Sequence, residues 1–288
     1  MAVDSQQLAQ ELQGLDQLET AAAPRRSRAA TVWSVTWPKL AAVAIALTIW
    51  QVVVWLEVKP PHTLPGPGPV FELLWERITD GTLPEATWIT MQRAIYGFAL
   101  ALVIGVVVGG LVARVRVARV ALGSFITGLQ TMPSIAWFPL AILWFGLTEQ
   151  AIFFVVVLGA SPSIANGLIS GVDHIPPLLL RAGRILGARR LALFRHVILP
   201  ASLPAFVAGL KQGWAFAWRS LMAGELLVVI ASRPSLGFQL QFGRDFNNAR
   251  LLFATMIAIL FIGIVVDSLV FGTLERSIRR RRGLLESS

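Results

Sequence analysis

Few residues of this sequence have a type and spacing that could support chemistry. The chain has no cysteine, which excludes disulfides, thiolate metal sites and thiol nucleophiles. His62, His174 and His196 are too far apart to form a metal site by local spacing. The hydrophobic segments hold no paired acids, His cluster or Ser/Lys dyad at matching depth. We therefore do not expect an enzyme, and we expect no metal and no bound cofactor.

Charged residues inside hydrophobic segments are the other candidates, namely Arg219, Glu225 and Asp267. Each costs roughly 3 kcal/mol at the centre of a bilayer unless it faces protein or water. Arg219 and Glu225 lie about 120° apart on a helix, so they are expected to find partners on other helices. For Glu225 and Asp267 we favour a packing interaction over a place in a transport path. For Arg219 packing and attraction of an anionic solute are equally favoured.

The elements that hold these residues are predicted to be membrane-spanning helices. The chain has 288 residues, 55% of them hydrophobic and 14% charged, and its mean hydropathy is +0.67. This composition is typical of a membrane protein. A span needs about 20 apolar residues, and six such runs make this an all-α polytopic membrane protein. The predicted spans cover residues 40–58, 90–112, 120–147, 151–171, 203–230 and 251–273. The third is long, and Pro133 and Pro139 offer points for a break.

The net charge of +9 comes almost entirely from arginine, and its placement beside apolar runs favours a membrane rather than nucleic acid. The arginine clusters all fall on one side of the predicted topology. They are Arg25, Arg26 and Arg28; Arg114, Arg116 and Arg119; Arg181, Arg184, Arg189, Arg190 and Arg195; and Arg279 to Arg282. Because positive loops stay in the cytoplasm, both termini are predicted to be cytoplasmic.

Three kinds of segment follow from this topology. Residues 1–38 read as a polar cytoplasmic arm, either a short amphipathic helix along Leu8, Leu12, Leu15 and Leu18 or a disordered tail. Residues 39–274 form the transmembrane domain, which includes a cytoplasmic loop at 172–202. Residues 275–288 form a basic cytoplasmic tail.

The cytoplasmic loop contains the stretch "RAGRILGARRLALFRHVILPASLP", residues 181 to 204. It is predicted to start a helix after two prolines and to turn at Gly187 into a second short helix. Leu178, Ala182, Ile185 and Leu186 share one face of the first helix, and the arginines point elsewhere. Pro200 and Pro204 are expected to mark the entry into the fifth span. Such a basic amphipathic helix pair could simply bind anionic lipid.

The spacing within this loop resembles the EAA motif of binding-protein-dependent ABC importer permeases. The matching positions are Ala182, Gly187, Val197, Leu199 and Pro200. Arg181 stands where that family usually has glutamate, and Gly183 replaces its second alanine. The resemblance implies that the loop, with Phe194, is a coupling helix that docks on an ATPase subunit.

The resemblance extends over residues 64 to 275 and is strongest to permeases of the nitrate, sulfonate and taurine type. It is carried by the segment around Trp137 and by the stretch "AFAWRSLMAGELL", which contains Trp218 and Glu225. Arg219 departs from the apolar residue usual in such permeases, which makes it a candidate for substrate selectivity. We therefore take Trp137, Trp218, Arg219 and Glu225 as pathway candidates.

The resemblance implies the type I importer architecture and a plasma-membrane location in a bacterium. Its expected partners are a second copy of the chain, two ATP-binding cassette ATPase subunits, an extracytoplasmic solute-binding protein and membrane lipid. ATP would bind to the ATPase, and the solute would be a small anion such as a sulfonate, taurine or nitrate. An ATP-independent channel or secondary transporter is the alternative.

Overall fold

The computed structural model describes residues 28–281, and this part of the chain is helical, without strands. Short irregular turns connect several of the helices. A turn at Ser134–Trp137 precedes the helix that starts at Phe138, and Leu191–Leu193 with the π-helical turn Phe194–Ile198 leads into the helix that starts at Leu199. A second π-helical turn, Asp267–Phe271, follows the helix that ends at Val266. The helices are α1 (Arg28–Trp55), α2 (Pro67–Thr79), α3 (Thr82–Arg114), α4 (Arg116–Thr131), α5 (Phe138–Phe145), α6 (Glu149–Asp173), α7 (Pro177–Ile185), α8 (Leu199–Leu227), α9 (Leu236–Asp245), α10 (Ala249–Val266) and α11 (Gly272–Arg281).

Five helical stretches of the described chain are long and apolar enough to cross a membrane, and a bent pair can form a sixth span. This confirms the predicted all-α polytopic membrane fold. The five stretches are Thr36–Trp55, Thr82–Arg114, Glu149–Asp173, Leu191–Leu227 and Ala249–Ile278.

The bent pair occupies the position of the predicted third span. Its two parts, Arg116–Thr131 and Ser134–Phe145, are bent by 102° relative to each other. The break falls at Pro133, because proline lacks an N–H and disfavours helical geometry in the residue before it. Met132 accordingly has φ −78° and ψ 128°. Pro139, the other expected break point, lies in the first turn of α5, where its missing N–H costs nothing.

Among the described residues, 28–58 belong to a unit separate from the rest of the chain, and α1 is its main element. The helix ends at Trp55 and begins at Arg28, which is upstream of the predicted span at 40–58. Pro38 lies inside the helix. The prediction of an amphipathic helix or tail around Leu8 to Leu18 concerns residues outside the described range.

In the second unit, from Lys59 onward, α6 packs between α3 and α8 through small residues. A Cβ built on Gly105 of α3 would lie 2.8 Å from the Cβ of Ile164 of α6. On the other side of α6, a Cβ on Gly209 would lie 2.6 Å from the Cα of Gly167. The backbones of α6 and α8 are therefore in direct contact, which only glycine permits.

The helix of the fifth span begins earlier than the span predicted from the sequence. Helical structure begins at Leu191 and continues to Leu227, whereas the sequence placed the span at 203–230. Pro200 lies in the first turn of α8 and Pro204 lies inside the helix, so neither proline ends it. The predicted second short helix after Gly187 is thus an N-terminal extension of this helix, interrupted by the π-helical turn.

Candidate functional site

A buried charged cluster joins α3, α6, α8 and the segment that leads into α9. Arg93 and Glu225 lie at its centre, with 2% and 1% of their surface exposed. The Arg93 Nη1 donates to Oε1 of Glu225 at 3.0 Å, and the Thr90 hydroxyl donates to Oε2 at 2.9 Å. The amide of Gly237 donates to the same Oε2 at 3.1 Å. The Glu225 carboxylate therefore receives hydrogen bonds from two other elements and is fully satisfied.

The cluster continues toward solvent through Glu149 at the start of α6. Its Oε1 accepts from Arg93 Nη2 at 3.1 Å and from Arg233 Nη1 at 2.7 Å. Arg233 Nη2 also donates to the Oε1 of Gln92 at 2.9 Å. Two arginines and two glutamates alternate, so the cluster is neutral. We call Thr90, Arg93, Glu149, Glu225 and Arg233 the outer network, because it lies at the end predicted to be extracytoplasmic.

The outer network explains Glu225 as an interhelical packing residue, the reading favoured from the sequence. Its partner Arg93 was missed by the sequence analysis. The signal was present, because Arg93 stands near the start of the predicted second span, where a charged residue is as costly as Glu225. Glu149 lay just outside the predicted fourth span, so nothing marked it as a partner.

Asp267 also has a partner that sequence reasoning missed. Its Oδ2 lies 3.3 Å from the Nζ of Lys211 on α8. Both side chains are nearly half exposed, so the pair is less protected than Arg93–Glu225. It links α8 to the π-helical turn at Asp267–Phe271.

Arg219 has no acidic partner among the described residues. Its Nε donates to the carbonyl of Ala215 at 3.1 Å, and its guanidinium lies 4.6 Å from the ring centre of Phe216. The side chain is exposed and lines a cavity of about 560 Å³ between α8 and α10. The two indoles of Trp214 and Trp218 are stacked in the same lining, with ring centres 6.3 Å apart.

The pathway candidates are therefore not all in one place. Trp218 and Arg219 share the cavity between α8 and α10. Glu225 is in the outer network, and Trp137 packs half-buried against the hydrophobic core before α5. The geometry brings two of the four candidates together.

In the loop between α6 and α8, which is predicted to be cytoplasmic, α7 ends in a glycine turn. Gly187 has φ +84°, a backbone conformation that favours glycine. The amides of Leu186, Gly187 and Ala188 donate to carbonyls of the last turn of α7, which closes the helix end. Gly183 is buried against the π-helical turn Phe194–Ile198. A Cβ on Gly183 would lie 2.9 Å from the Cγ2 of Val197 in that turn.

The remaining motif residues lie on α7 and in the run that leads into α8. Phe194 is half-buried and lies below the guanidinium of Arg114, 5.3 Å from the ring centre. Leu199 and Pro200 are exposed in the first turn of α8. Arg181 and Ala182 are exposed on α7. The two halves of the motif thus meet at Gly183 and Val197, and its outer residues are accessible to another protein.

Residues 101–280 match the family described as the binding-protein-dependent transport system inner membrane component. The chain belongs to this family. It is therefore a permease component and a multi-pass membrane protein.

Named relatives of this permease differ in substrate. A putative ABC transporter permease of Methanocaldococcus jannaschii is 31% identical, with 80% of this chain and 86% of the relative covered. A putative aliphatic sulfonates permease of Bacillus subtilis is 30% identical, with 84% of this chain and 87% of the relative covered. The taurine permease of Escherichia coli is 29% identical, with 78% of this chain and 82% of the relative covered. The riboflavin permease of Chloroflexus aurantiacus is 30% identical, with 85% of this chain and 91% of the relative covered. The nitrate permease of Synechocystis is 27% identical, with 78% of this chain and 82% of the relative covered.

Solved structures agree on the fold. The permease resembles a chain of the inward-facing methionine ABC transporter MetNI with a TM-score of 0.55 and 21% identity. The similarity covers 66% of this chain and 93% of that chain. The architecture is therefore that of type I ABC importer permeases.

Proposed function

We propose that two copies of this permease form the translocation pathway of an ATP-driven importer for a small anion. A solute-binding protein delivers the anion from outside, and two separate ATPase subunits bind and hydrolyse ATP. The family membership supports this transport role. Relatives that are named for aliphatic sulfonates, taurine and nitrate support an anionic solute.

The observation that carries the choice of an anion is Arg219. This residue lies within a membrane-spanning helix, is exposed in the single chain, and has no acidic partner among residues 28–281. A cationic side chain at such a depth is tolerated where it faces water or another subunit. A water-filled pathway at the junction of two copies meets this condition, and the guanidinium there attracts anions.

The walls of the neighbouring cavity favour an organic anion over a bare inorganic one. Apart from Arg219 and Asp267, its lining is mainly aromatic and aliphatic, including Trp214, Trp218 and Met222. Apolar walls gain free energy from covering hydrocarbon, which nitrate lacks. A sulfonate with a carbon skeleton satisfies both the cation and the walls.

Uptake by the reconstituted importer tests this proposal. Vesicles with the permease, its ATPase and its binding protein are supplied with radiolabelled taurine, an alkanesulfonate, nitrate or riboflavin. We expect Arg219→Ala to lower uptake of the anion about tenfold and Arg219→Lys to retain most of it. Arg244→Ala, an exposed arginine on α9, is the matched control. Unchanged uptake by Arg219→Ala would assign Arg219 to packing, and uptake without ATP would favour a channel or secondary transporter.

Coupling to ATP is tested in the same vesicles with loop variants. Replacing Gly187 disturbs the turn after α7, and Phe194→Ala removes the ring that Arg114 covers. Both variants are expected to reach the membrane and to hydrolyse ATP without transport. Normal coupled transport by both would contradict the assignment of the loop as the coupling element.

A further inference from the structure

A hydrophobic cavity of about 630 Å³ lies between α2, α3 and α10. Among the described residues that line it, Thr87 and the indole of Trp88 supply the only polar groups, and none is charged. Trp88 and Phe261 in its walls are 63% and 66% exposed, so the cavity is open at the surface of the single chain. We call this cavity the apolar groove, and its walls include Phe71, Leu74, Thr87, Trp88, Ile257 and Phe261.

The apolar groove lies at the depth where lipid headgroups meet hydrocarbon. The 33 residues of α3 form a helix about 50 Å long, whereas a bilayer with its headgroups measures about 40–45 Å. The first turns of α3 therefore lie in the headgroup layer, on the side predicted to be extracytoplasmic. Trp88 of α3 and the exposed Trp75 of α2 lie near this end, and tryptophan is enriched at this boundary.

The apolar groove also extends toward the middle of the membrane. Phe261 stands about 18 Å along α10 from Ala249, the first residue of that helix. Half of a hydrocarbon core is about 15 Å thick. The groove is therefore long enough to hold one acyl chain of the outer leaflet.

The apolar groove and the cavity beside Arg219 lie on opposite faces of α10. Ile259 and Gly263 line that cavity, and Phe261 lines the groove. At about 100° per residue, Phe261 lies about 160° from each of them around the helix. The groove is therefore separate from the proposed pathway and faces away from it.

Arg77 of α2 lies beside the apolar groove without a close partner. It lines a small recess that shares Leu74 and Leu83 with the groove. Its Nε is buried and has no hydrogen-bond partner within the described chain, and its Nη1 lies 4.0 Å from Oδ2 of Asp80. Asp80 is held by Thr82 instead, whose amide and hydroxyl donate to Oδ1 at 2.8 and 2.6 Å. The guanidinium therefore has donors available for an anion.

The charges around Arg77 restrict the kind of anion that fits. Arg77 is the only basic residue between positions 67 and 85, whereas this stretch has four acids. All four are exposed, namely Glu72, Glu76, Asp80 and Glu85. A headgroup with a phosphate alone would meet a net negative charge here. A headgroup with both a phosphate and an ammonium finds an opposite charge for each.

We propose that the apolar groove binds an aminophospholipid of the outer leaflet. One acyl chain lies between α2, α3 and α10, the phosphate accepts hydrogen bonds from Arg77, and the ammonium is attracted by the acids around it. Acyl chains gain little by leaving other lipid for apolar protein walls, so the headgroup decides which lipid is selected. This lipid site is additional to the proposed transport role and independent of the solute.

A phosphatidylethanolamine with a photoactivatable group on its acyl chain tests this proposal. The full permease in nanodiscs receives this probe or a phosphatidylglycerol with the same chain, and mass spectrometry locates the labelled peptides. Labelling of the groove, relative to labelling around the exposed Val107 of α3, is expected to be about fivefold stronger with phosphatidylethanolamine. Arg77→Gln is expected to abolish this preference. Arg244→Gln, which removes an exposed arginine of α9, is the charge-matched control.

Thr87→Phe tests the groove itself, because the larger ring occupies space that the acyl chain needs. It is expected to lower labelling of the groove by both lipids severalfold. Val107→Phe adds the same ring to the exposed surface of α3 outside the groove and is expected to leave the labelling unchanged. Unchanged thermal unfolding shows that the variants are folded.

The other outcomes contradict the proposal in distinct ways. Equal labelling of the groove by the two lipids, or a preference that Arg77→Gln leaves intact, would overturn the headgroup site. Stronger labelling by phosphatidylglycerol would overturn the role of the acids. Labelling that joins two permease chains at the groove in place of lipid would make it an interface between copies. These measurements involve neither the ATPase nor the binding protein, so a negative result leaves the importer function in place.

Discussion

The outer network and the loop between α6 and α8 use arginine in opposite ways. In the outer network, Arg93 is buried and bonded to two glutamates, and the charges of the whole cluster cancel. In that loop, five arginines are exposed with no acid nearby in the sequence: Arg181, Arg184, Arg189, Arg190 and Arg195. Buried charge must be paired within the chain because desolvation is costly. Exposed unpaired charge costs the fold little, and is therefore available for contact with another protein.

The strongest challenge to this comparison is Glu225→Ala in the outer network. It leaves the buried guanidinium of Arg93 with Glu149 alone, so we expect a loss of about 3–5 kcal/mol of stability. Thermal unfolding of the purified permease measures the loss. The double variant Arg93→Met, Glu225→Leu should recover much of it, because no uncompensated charge remains. A loss below about 1 kcal/mol for Glu225→Ala would contradict the claim that the pair is desolvated.

Glu149→Ala is expected to have a smaller effect, of about 1–3 kcal/mol. The substitution removes a partner of both Arg93 and Arg233, but the Glu149 side chain is 27% exposed, so water replaces part of what is lost. The same unfolding assay applies, and Glu149→Gln separates charge from hydrogen bonding. An effect as large as that of Glu225→Ala would mean that the outer end of the network is as dry as its centre.

Gly187→Ala tests the backbone of the loop between α6 and α8 rather than its charge. At φ +84°, a Cβ costs about 1–2 kcal/mol, and asparagine should cost less because it tolerates this conformation. The unfolding temperature is expected to be highest with glycine at position 187, lower with asparagine and lowest with alanine. Equal stability of all three would mean that the turn can rearrange without loss.

Arg184→Gln is expected to have the smallest effect on stability, within about 0.5 kcal/mol of wild type. The side chain is exposed and unpaired among the described residues, so nothing in the fold depends on it. A marked drop in unfolding temperature would contradict the contrast between the two regions. The substitution would then have removed a contact within the permease itself.

The sequence predicted the class of fold well because long apolar runs and arginine placement carry that information directly. It also located Gly187, since a glycine between two helical patterns predicts a turn. It did not predict Arg93 as the partner of Glu225, because pairing between residues so far apart depends on how α3, α8 and α9 pack. It expected Pro200 and Pro204 to mark the entry into the fifth span, whereas the helix continues through both. A proline in the first turn costs nothing, because its missing N–H would have no partner there.

The contact between Gly167 and Gly209 has a mechanical consequence for α8. Gly209 lies about 27 Å along the helical run from Leu191 and about 24 Å from Glu225. A rigid rod pivoting at this contact would have two arms of nearly equal length. A shift of the end near Leu191 would then produce a shift of similar size and opposite direction at the end near Glu225.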